Sequence, residues 1–294
     1  MQLVVVPAHS TRAMKWLAPR PFERYEDDKI PLYPSQIIEI GASLFLINYL
    51  FSYYFSNSKK QKSIQFRDTM ASPESFLKYP KINTIWKRTD KSKKGTIIEG
   101  EFADPIFSNV INWETTEKIH GENTRIILYN GNVSYHGKSD DAEMRESTLK
   151  YLQETFPLEK MKEKFPKSNK VALYGEICGE LHHRGKGYCN NEKLILFDVV
   201  ITGEDGHKWW LERPSIEDIA NFFEIETVPL LGIMTINEII SLVKSEYKSK
   251  IAKNPNMIAE GIVAKAYPMV LNRTGEPVML KLKTKDYRKL KTKT

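Results

Sequence analysis

Lys118 is the residue whose type and setting are best suited to covalent chemistry. It lies in the run TEKIHGENTR, Thr116 to Arg125, which predicts the end of one strand, a tight turn at Gly121 and a new strand from Asn123. A lysine just before such a turn directs its amine into the pocket that the two strands border. That amine attacks phosphorus only when unprotonated, a state that burial and neighbouring cations favour. A lone Lys-x-x-Gly is also frequent by chance, and the alternative is a surface lysine beside a turn.

A pair of lysines far downstream could assist that amine. Lys281 and Lys283 are two residues apart in a predicted strand, Val278 to Thr284, so their side chains share one face. Beside Lys118 they would favour its neutral form and would bind a phosphate as negative charge develops on it. The alternative is a solvated basic strand face.

Three further residues have types that suit a nucleotide. Glu260, directly before Gly261 at the start of a predicted strand, could bind the magnesium ion that accompanies phosphates, or be an ordinary turn glutamate. Glu176 suits a hydrogen bond to a ribose hydroxyl, or is a strand-end charge that faces water. Phe197 could stack on a base, although aromatic residues in central strands usually pack in the core.

These residues belong to short motifs that follow one another in order. After the lysine motif come GKS from Gly137, LYGE from Leu173, LFD from Leu196, AEGIV from Ala259 and LKLK from Leu280. The ordered set resembles the covalent nucleotidyltransferases, which include ATP-dependent ligases and mRNA-capping enzymes. Histidine at the third position of KIHG, followed by Asn123, most resembles the RNA ligase 2 family, since DNA ligases and capping enzymes usually carry aspartate there. The resemblance extends from about Phe76 to Lys285.

The resemblance implies a role for each matching position. Lys118 would be the nucleophile, Lys281 and Lys283 would bind phosphates, and Glu260 would hold the metal and contact the cofactor. The other implied cofactor-binding positions are, in chain order, Glu117, Ile119, His120, Asn123, Lys138, Glu176 and Phe197. Lys138 departs from the family, which usually has arginine there, so the charge is kept but the bidentate fork is lost.

The function that the resemblance implies is that of an ATP-dependent RNA ligase. Such an enzyme uses ATP and Mg²⁺ and joins RNA 3′-hydroxyl and 5′-phosphate ends through a lysyl-AMP intermediate and an adenylylated RNA 5′ end. Two alternatives stay open: a DNA ligase or capping-type nucleotidyltransferase, and a catalytically inactive RNA-binding protein on the same scaffold. DNA ligases and capping enzymes carry an OB-fold domain after the last lysine motif. This chain ends eleven residues after Lys283, so no C-terminal OB domain is expected.

Composition agrees with a polyanionic partner such as RNA. The 294 residues carry a formal net charge of +7, and their 41% hydrophobic and 28% charged content suits a soluble protein with a sizeable core. The two cysteines, Cys178 and Cys189, make no disulfide framework, so a reducing compartment and a cytoplasmic location are expected.

The order of predicted elements indicates the fold class. Strands and helices are interspersed without steady β-α-β alternation, which predicts an α+β nucleotidyltransferase domain of two mainly antiparallel sheets with flanking helices. Asn130-Gly131 predicts a tight hairpin turn with positive φ. Asp140, Ser215 and Thr235 are suited to cap the N-termini of three helices.

Residues 1–69 differ from the rest, and a shift in composition near Met70 predicts an N-terminal extension followed by the catalytic domain, 70–294. Arginine and lysine precede the first acidic residue, Glu23, which is mildly typical of an organellar transit segment. Gly41 to Ser58 is uncharged and near the length of a membrane span, but its serines and asparagines favour a buried or amphipathic helix. Organellar and membrane-tethered forms are therefore alternatives to the cytoplasmic location, and the oligomeric state is not predicted.

Overall fold

Two β-sheets with helices on their outer faces make up most of the chain that the structure describes. The structure is a computed structural model, and it describes residues 77–90, 95–139, 142–168, 170–183 and 185–291. The predicted boundary at residue 70, the candidate span and Asp140 lie outside these residues. No helix of the described ranges is both long and apolar enough to cross a membrane.

The first sheet contains the strand that leads to Lys118. Its order is β1-β13-β12-β4-β11, and only the β1–β13 pair is parallel. These strands are β1 (Asn83–Thr84), β4 (Asn112–Glu117), β11 (Leu230–Met234), β12 (Gly261–Tyr267) and β13 (Met279–Lys283). A separate hairpin pairs β2 (Trp86–Arg88) with β3 (Ile97–Phe102), and a short 3-10 helix, Pro105–Ser108, follows it.

The second sheet has the order β10-β8-β7-β5-β6, with β9 paired to β8. Only the β10–β8 pair is parallel. Its strands are β5 (Glu122–Tyr129), β6 (Asn132–His136), β7 (Lys170–Cys178), β8 (Lys193–Thr202), β9 (Lys208–Trp210) and β10 (Glu226–Thr227). Both sheets are mainly antiparallel, so the predicted α+β class is confirmed.

Helices cover the outer face of each sheet. Those on the second sheet are α1 (Glu146–Thr155), α2 (Leu158–Lys164) and α3 (Arg213–Phe222), and their apolar side chains share a core with alternate residues of β5 and β7. On the first sheet, α4 (Ile236–Lys244) and α5 (Thr284–Lys291) enclose a second core with the inner strands. Side chains alternate along a strand, so half of the residues of each sheet lie on the face that no helix covers. These inner faces carry the residues of the candidate site.

The alternation is clear in β12. Ile262, Ala264 and Ala266 pack into the helix-covered core, so Val263 and Lys265 lie on the other face. Lys265 reaches Asp198 of β8, whose Oδ1 accepts a hydrogen bond from Lys265 Nζ at 2.8 Å. The inner faces of the two sheets are therefore in direct contact at this point.

Local sequence signals were accurate for turns and less so for helix starts. Asn130 and Gly131 have φ values of 46° and 76°, as the predicted hairpin requires. The helix assigned to Asp140 begins only at Glu146, and its N-cap residue is Arg145. Ser215 is not an N-cap.

The helix near Ser215, α3, starts three residues earlier than predicted. Its N-cap is Glu212, and Pro214 lies in the first turn. The fixed φ of proline suits that turn, and its missing N–H is not needed there. The neighbouring serine is therefore inside the helix and not in front of it.

Thr235 does cap α4, and replacing it with alanine should destabilise the protein by about 1 kcal/mol. Its Oγ1 accepts the Glu238 N–H at 3.4 Å, and Glu238 Oε2 accepts the Thr235 N–H at 2.7 Å. Urea unfolding should show a lower midpoint for Thr235→Ala. The matched control is Ser215→Ala, which removes a hydroxyl from the first turn of α3, where the structure shows no side-chain cap. Equal losses in the two variants would contradict the assignment of the cap.

Candidate active site

Lys118 follows β4 directly, and its backbone is hydrogen-bonded to the first residue of β12. Its N–H donates to the Gly261 carbonyl at 2.9 Å. Its Nζ lies 2.8 Å from Glu260 Oε2 and donates to the Ile119 carbonyl at 3.2 Å. The side chain keeps 20% of its surface exposed. The amine is therefore held beside a carboxylate on a side chain that is still partly exposed.

Glu260 joins two lysines. Lys283 Nζ donates to its Oε1 at 2.6 Å, while Lys118 approaches its Oε2. Burial alone would raise the pKa of Glu260, but the two ammonium groups outweigh that effect and hold the pKa below its usual value. The structure thus unites the predicted nucleophile, the predicted metal ligand and one predicted phosphate-binding lysine in a single ionic cluster.

Gly261 allows this cluster to form. Its φ is +147°, and a Cβ there would overlap the Leu282 carbonyl oxygen of the neighbouring strand. Only glycine permits both the conformation and the close approach. Glu260, one residue earlier, is thereby placed against Lys283 of β13.

Lys281 lies in β13 on the same face as Lys283, as predicted. Its register partners are Thr84 of β1 and Val263 of β12. Val263 belongs to the inner face of the first sheet, so Lys281 also points to that face.

Glu176 lies in β7, opposite Asn123 of β5. Its Oε1 accepts the Gly121 N–H at 3.0 Å, and a Cβ on Gly121 would overlap the Ile177 carbonyl oxygen. Burial raises the pKa of Glu176, and the charge of Lys118 partly opposes that rise. The carboxylate therefore fixes the turn after Lys118 from the second sheet.

Phe197 occupies an extra position in β8. The register pairs Tyr174 with Asp198 but the next residue, Gly175, with Leu196, so Phe197 is the unpaired residue of a bulge. The bulge places both Phe197 and Asp198 on the inner face. Phe197 is only partly buried and packs edge-on against Tyr79, with ring centroids 5.0 Å apart. Phe197 therefore lies on the face of the second sheet that carries Asp198, and part of its side chain stays exposed.

The side chains of Glu117 and Ile119 do not contact the cluster. Glu117 is buried, and its oxygens accept hydrogen bonds from Ser249 Oγ at 2.5 Å and the Lys250 N–H at 2.8 Å. Burial raises the pKa of Glu117, although these two hydrogen bonds lower it in part. Ile119 packs in an apolar cluster with Cys178, Tyr188, Ile195 and Val228. Contact with a nucleotide would be left to the backbone of this segment.

Lys138 is separate from the ionic cluster. It is exposed, and among the described residues no ion pair or hydrogen bond joins it to Glu260, Lys118 or Lys283. The preceding Gly137 carbonyl accepts a hydrogen bond at 2.9 Å from Nε of Arg125, which is fully buried. The structure therefore holds the backbone before Lys138 in place.

Sequence reasoning missed the contact that joins the two sheets. Asp198 has no exposed surface, and it accepts hydrogen bonds from Lys265 Nζ and from Tyr79 Oη, both at 2.8 Å. The signal was present, because an aspartate inside an apolar strand must be paired if it is buried. Its partner, 67 residues later, carried no comparable signal.

Comparisons with known proteins agree with this architecture. The sequence model of the family described as RNA ligase matches residues 111–283. An arginine-to-alanine variant of Naegleria gruberi RNA ligase, solved with ATP and manganese, is similar with a TM-score of 0.50 and 17% identity, over 75% of this chain and 60% of that one. A lysine-to-alanine variant with ATP and manganese gives 0.49 and 18%, over 74% and 64%. This chain spans less than two thirds of the length of these structures.

Proposed function

The chain belongs to the RNA ligase family, and from that premise we propose that it is an ATP-dependent RNA ligase. It joins RNA 3′-hydroxyl and 5′-phosphate ends through a lysyl-AMP intermediate. The observation that carries the proposal is the contact of Lys118 with Glu260, and of Glu260 with Lys283, at 2.8 and 2.6 Å. These contacts support the proposal because they bring an amine that could be the nucleophile and a cation that could bind phosphate to one carboxylate.

The first step forms a nitrogen–phosphorus bond. Lys118 Nζ gives up its proton to solvent, and its lone pair attacks the α-phosphorus of ATP. The bond to the β-phosphate oxygen breaks, and pyrophosphate leaves with that electron pair. Lys283 and Lys281 stabilise the charge that develops on the α-phosphate.

The nucleotide would lie between the inner faces of the two sheets. Adenine would stack on Phe197, and Glu176 would accept a ribose hydroxyl with the oxygen that does not bind Gly121. The backbone of Glu117 and Ile119 would line the part of the site that holds the base and the ribose, together with His120 and Asn123. Lys138 would contact phosphate at the entrance to this space between the sheets.

Magnesium would be held by Glu260 together with the phosphates. No group of three or more His, Cys, Asp or Glu side chains arranged for a metal occurs among the described residues. A single carboxylate with phosphate oxygens is nevertheless an ordinary donor set for Mg²⁺. Glu260 Oε2 is buried and lies 2.8 Å from Lys118 Nζ, so the ion would be next to the nucleophile. When bound, Mg²⁺ neutralises charge on the phosphates.

Two further transfers complete the reaction. An oxygen of the RNA 5′-phosphate attacks the phosphorus of lysyl-AMP, the phosphorus–nitrogen bond breaks, and Lys118 recovers a proton. The RNA 3′-hydroxyl then attacks the adenylylated 5′-phosphate, and AMP leaves. RNA phosphates would be drawn to the cationic side chains of the site, so joining should fall steeply as salt rises, while self-adenylylation should fall less.

The test is to incubate the whole chain with Mg²⁺ and ATP labelled at the α-phosphate, and to look for a covalent label after denaturation. We expect a label that added pyrophosphate removes as ATP, and joined product when RNA with a 5′-phosphate and a 3′-hydroxyl is supplied. Labelling by GTP instead would indicate a capping-type enzyme, and joining of DNA alone would indicate a DNA ligase. A folded protein that takes no label would support the inactive RNA-binding alternative.

A further inference from the structure

Two tyrosine hydroxyls support the backbone segment that carries Lys118. Tyr188 Oη accepts the His120 N–H at 3.3 Å. Tyr247 Oη donates to the Gly261 carbonyl at 2.6 Å, and that same carbonyl accepts the Lys118 N–H at 2.9 Å. The hydroxyls therefore act on both sides of the lysine, one directly and one through the carbonyl that anchors it.

Both hydroxyls are in surroundings that keep them neutral. Tyr188 is only 4% exposed and packs against Ile119 and Cys178. Burial raises the pKa of Tyr188 and of Tyr247 well above the usual range, and the nearby Glu117 carboxylate raises both further. Each tyrosine thus remains a phenol, so Tyr247 always has a proton to donate to the Gly261 carbonyl.

The two tyrosines come from two loops that hold each other. Tyr188 lies between β7 and β8, and Tyr247 lies between α4 and β12. The Tyr188 carbonyl accepts the Lys253 N–H at 3.2 Å, and Ser249 and Lys250 of the second loop bind Glu117. These loops therefore meet beside the Lys118 segment and bind it at two residues, Glu117 and His120.

We propose that Tyr188 and Tyr247 are positioning residues for the nucleophile. Their hydroxyls fix the backbone on either side of Lys118, so that its amine meets the α-phosphorus in line with the departing pyrophosphate. The inference rests on the proposed function, because it concerns the step in which Lys118 takes AMP. Neither hydroxyl contacts the nucleotide in this proposal. Both act through the backbone segment around Lys118 that they hold in place.

The test uses Tyr188→Phe and Tyr247→Phe, each of which removes one oxygen and keeps the ring. We expect the rate of covalent labelling at saturating ATP to fall about 10- to 100-fold, since a misplaced reacting group costs about that much. The KM for ATP should stay nearly unchanged, because the nucleotide contacts remain.

Two other tyrosines provide matched controls on the helix-covered side of the second sheet. Tyr151 Oη accepts the Leu194 N–H at 3.1 Å, as Tyr188 Oη accepts a backbone N–H. Tyr135 Oη donates to the Phe156 carbonyl at 2.8 Å, as Tyr247 Oη donates to a carbonyl. Tyr151→Phe and Tyr135→Phe should lose similar stability in urea unfolding and keep the wild-type labelling rate.

The outcomes separate this inference from the function on which it rests. If the wild-type protein takes no label, both proposals are wrong. If it takes label normally and all four variants share its rate, or lose rate in proportion to lost stability, only the positioning role is wrong. A raised KM with an unchanged rate would also overturn that role, because it would make the tyrosines contributors to ATP binding.

Discussion

Lys118→Ala should abolish covalent labelling by ATP and leave the protein folded. The substitution removes the only group that the proposal allows to bond to AMP. Glu260 keeps its ion pair with Lys283 at 2.6 Å, so no buried carboxylate is left without a partner. Labelling would be followed on a denaturing gel, and the fold by circular dichroism and urea unfolding.

The same variant should still join RNA that is supplied already adenylylated at its 5′ end. The last transfer forms no bond to Lys118, so its rate depends on the phosphate-binding groups and the RNA contacts. Lys87→Ala is the control, because Lys87 is a largely exposed lysine whose partner is Glu101. Undiminished labelling of Lys118→Ala would show that another residue is the nucleophile.

Asp198→Ala should cost about 3–5 kcal/mol of stability, the usual effect of removing one partner of a buried ion pair. Asp198 is fully buried, and Lys265 is only 13% exposed. Loss of the aspartate leaves the lysine ammonium without its counterion between the two sheets. Tyr79 keeps its hydrogen bond to Met279, so most of the lost stability comes from the ammonium of Lys265. Urea unfolding of the wild-type and variant proteins measures the difference.

Two further variants identify the cause of that loss. Asp198→Ala combined with Lys265→Met removes both charges and should recover part of the stability. Glu101→Ala breaks the exposed pair with Lys87 and should cost no more than about 1 kcal/mol. A loss below about 1 kcal/mol in Asp198→Ala would mean that water screens the pair and that it does not hold the sheets together.

Features that depend on neighbouring residues were predictable from the sequence. The hairpin at Asn130-Gly131 and the cap at Thr235 are set by local backbone chemistry, and both are present. The shared face of Lys281 and Lys283 follows from the two-residue period of a strand. The start of α1 did not follow the local signal, since its N-cap residue is Arg145, whose side chain makes no capping hydrogen bond.

Features that depend on distant partners were not predictable in the same way. The bulge that places Phe197 on the inner face of the second sheet is a mismatch between two strands, which neither strand reveals alone. The roles of Tyr188 and Tyr247 arise where two loops meet, and tyrosine in a loop has no spacing that marks it. Glu117 was singled out by its position next to Lys118, but the structure places its carboxylate on the Ser249–Lys250 loop.

The place of β13 in the first sheet has a consequence for synthesis on the ribosome. This strand follows all the other described strands in sequence, yet it lies between β1 and β12 in space. A nascent chain that has emerged only through β12 therefore exposes two unpaired strand edges, and Lys118 is not yet next to Lys283. Such long-range closure makes folding slow, and the open edges make the incomplete chain prone to aggregate. The reactive lysine thus acquires its cationic neighbour late, so a truncated product of translation would lack the assembled cluster.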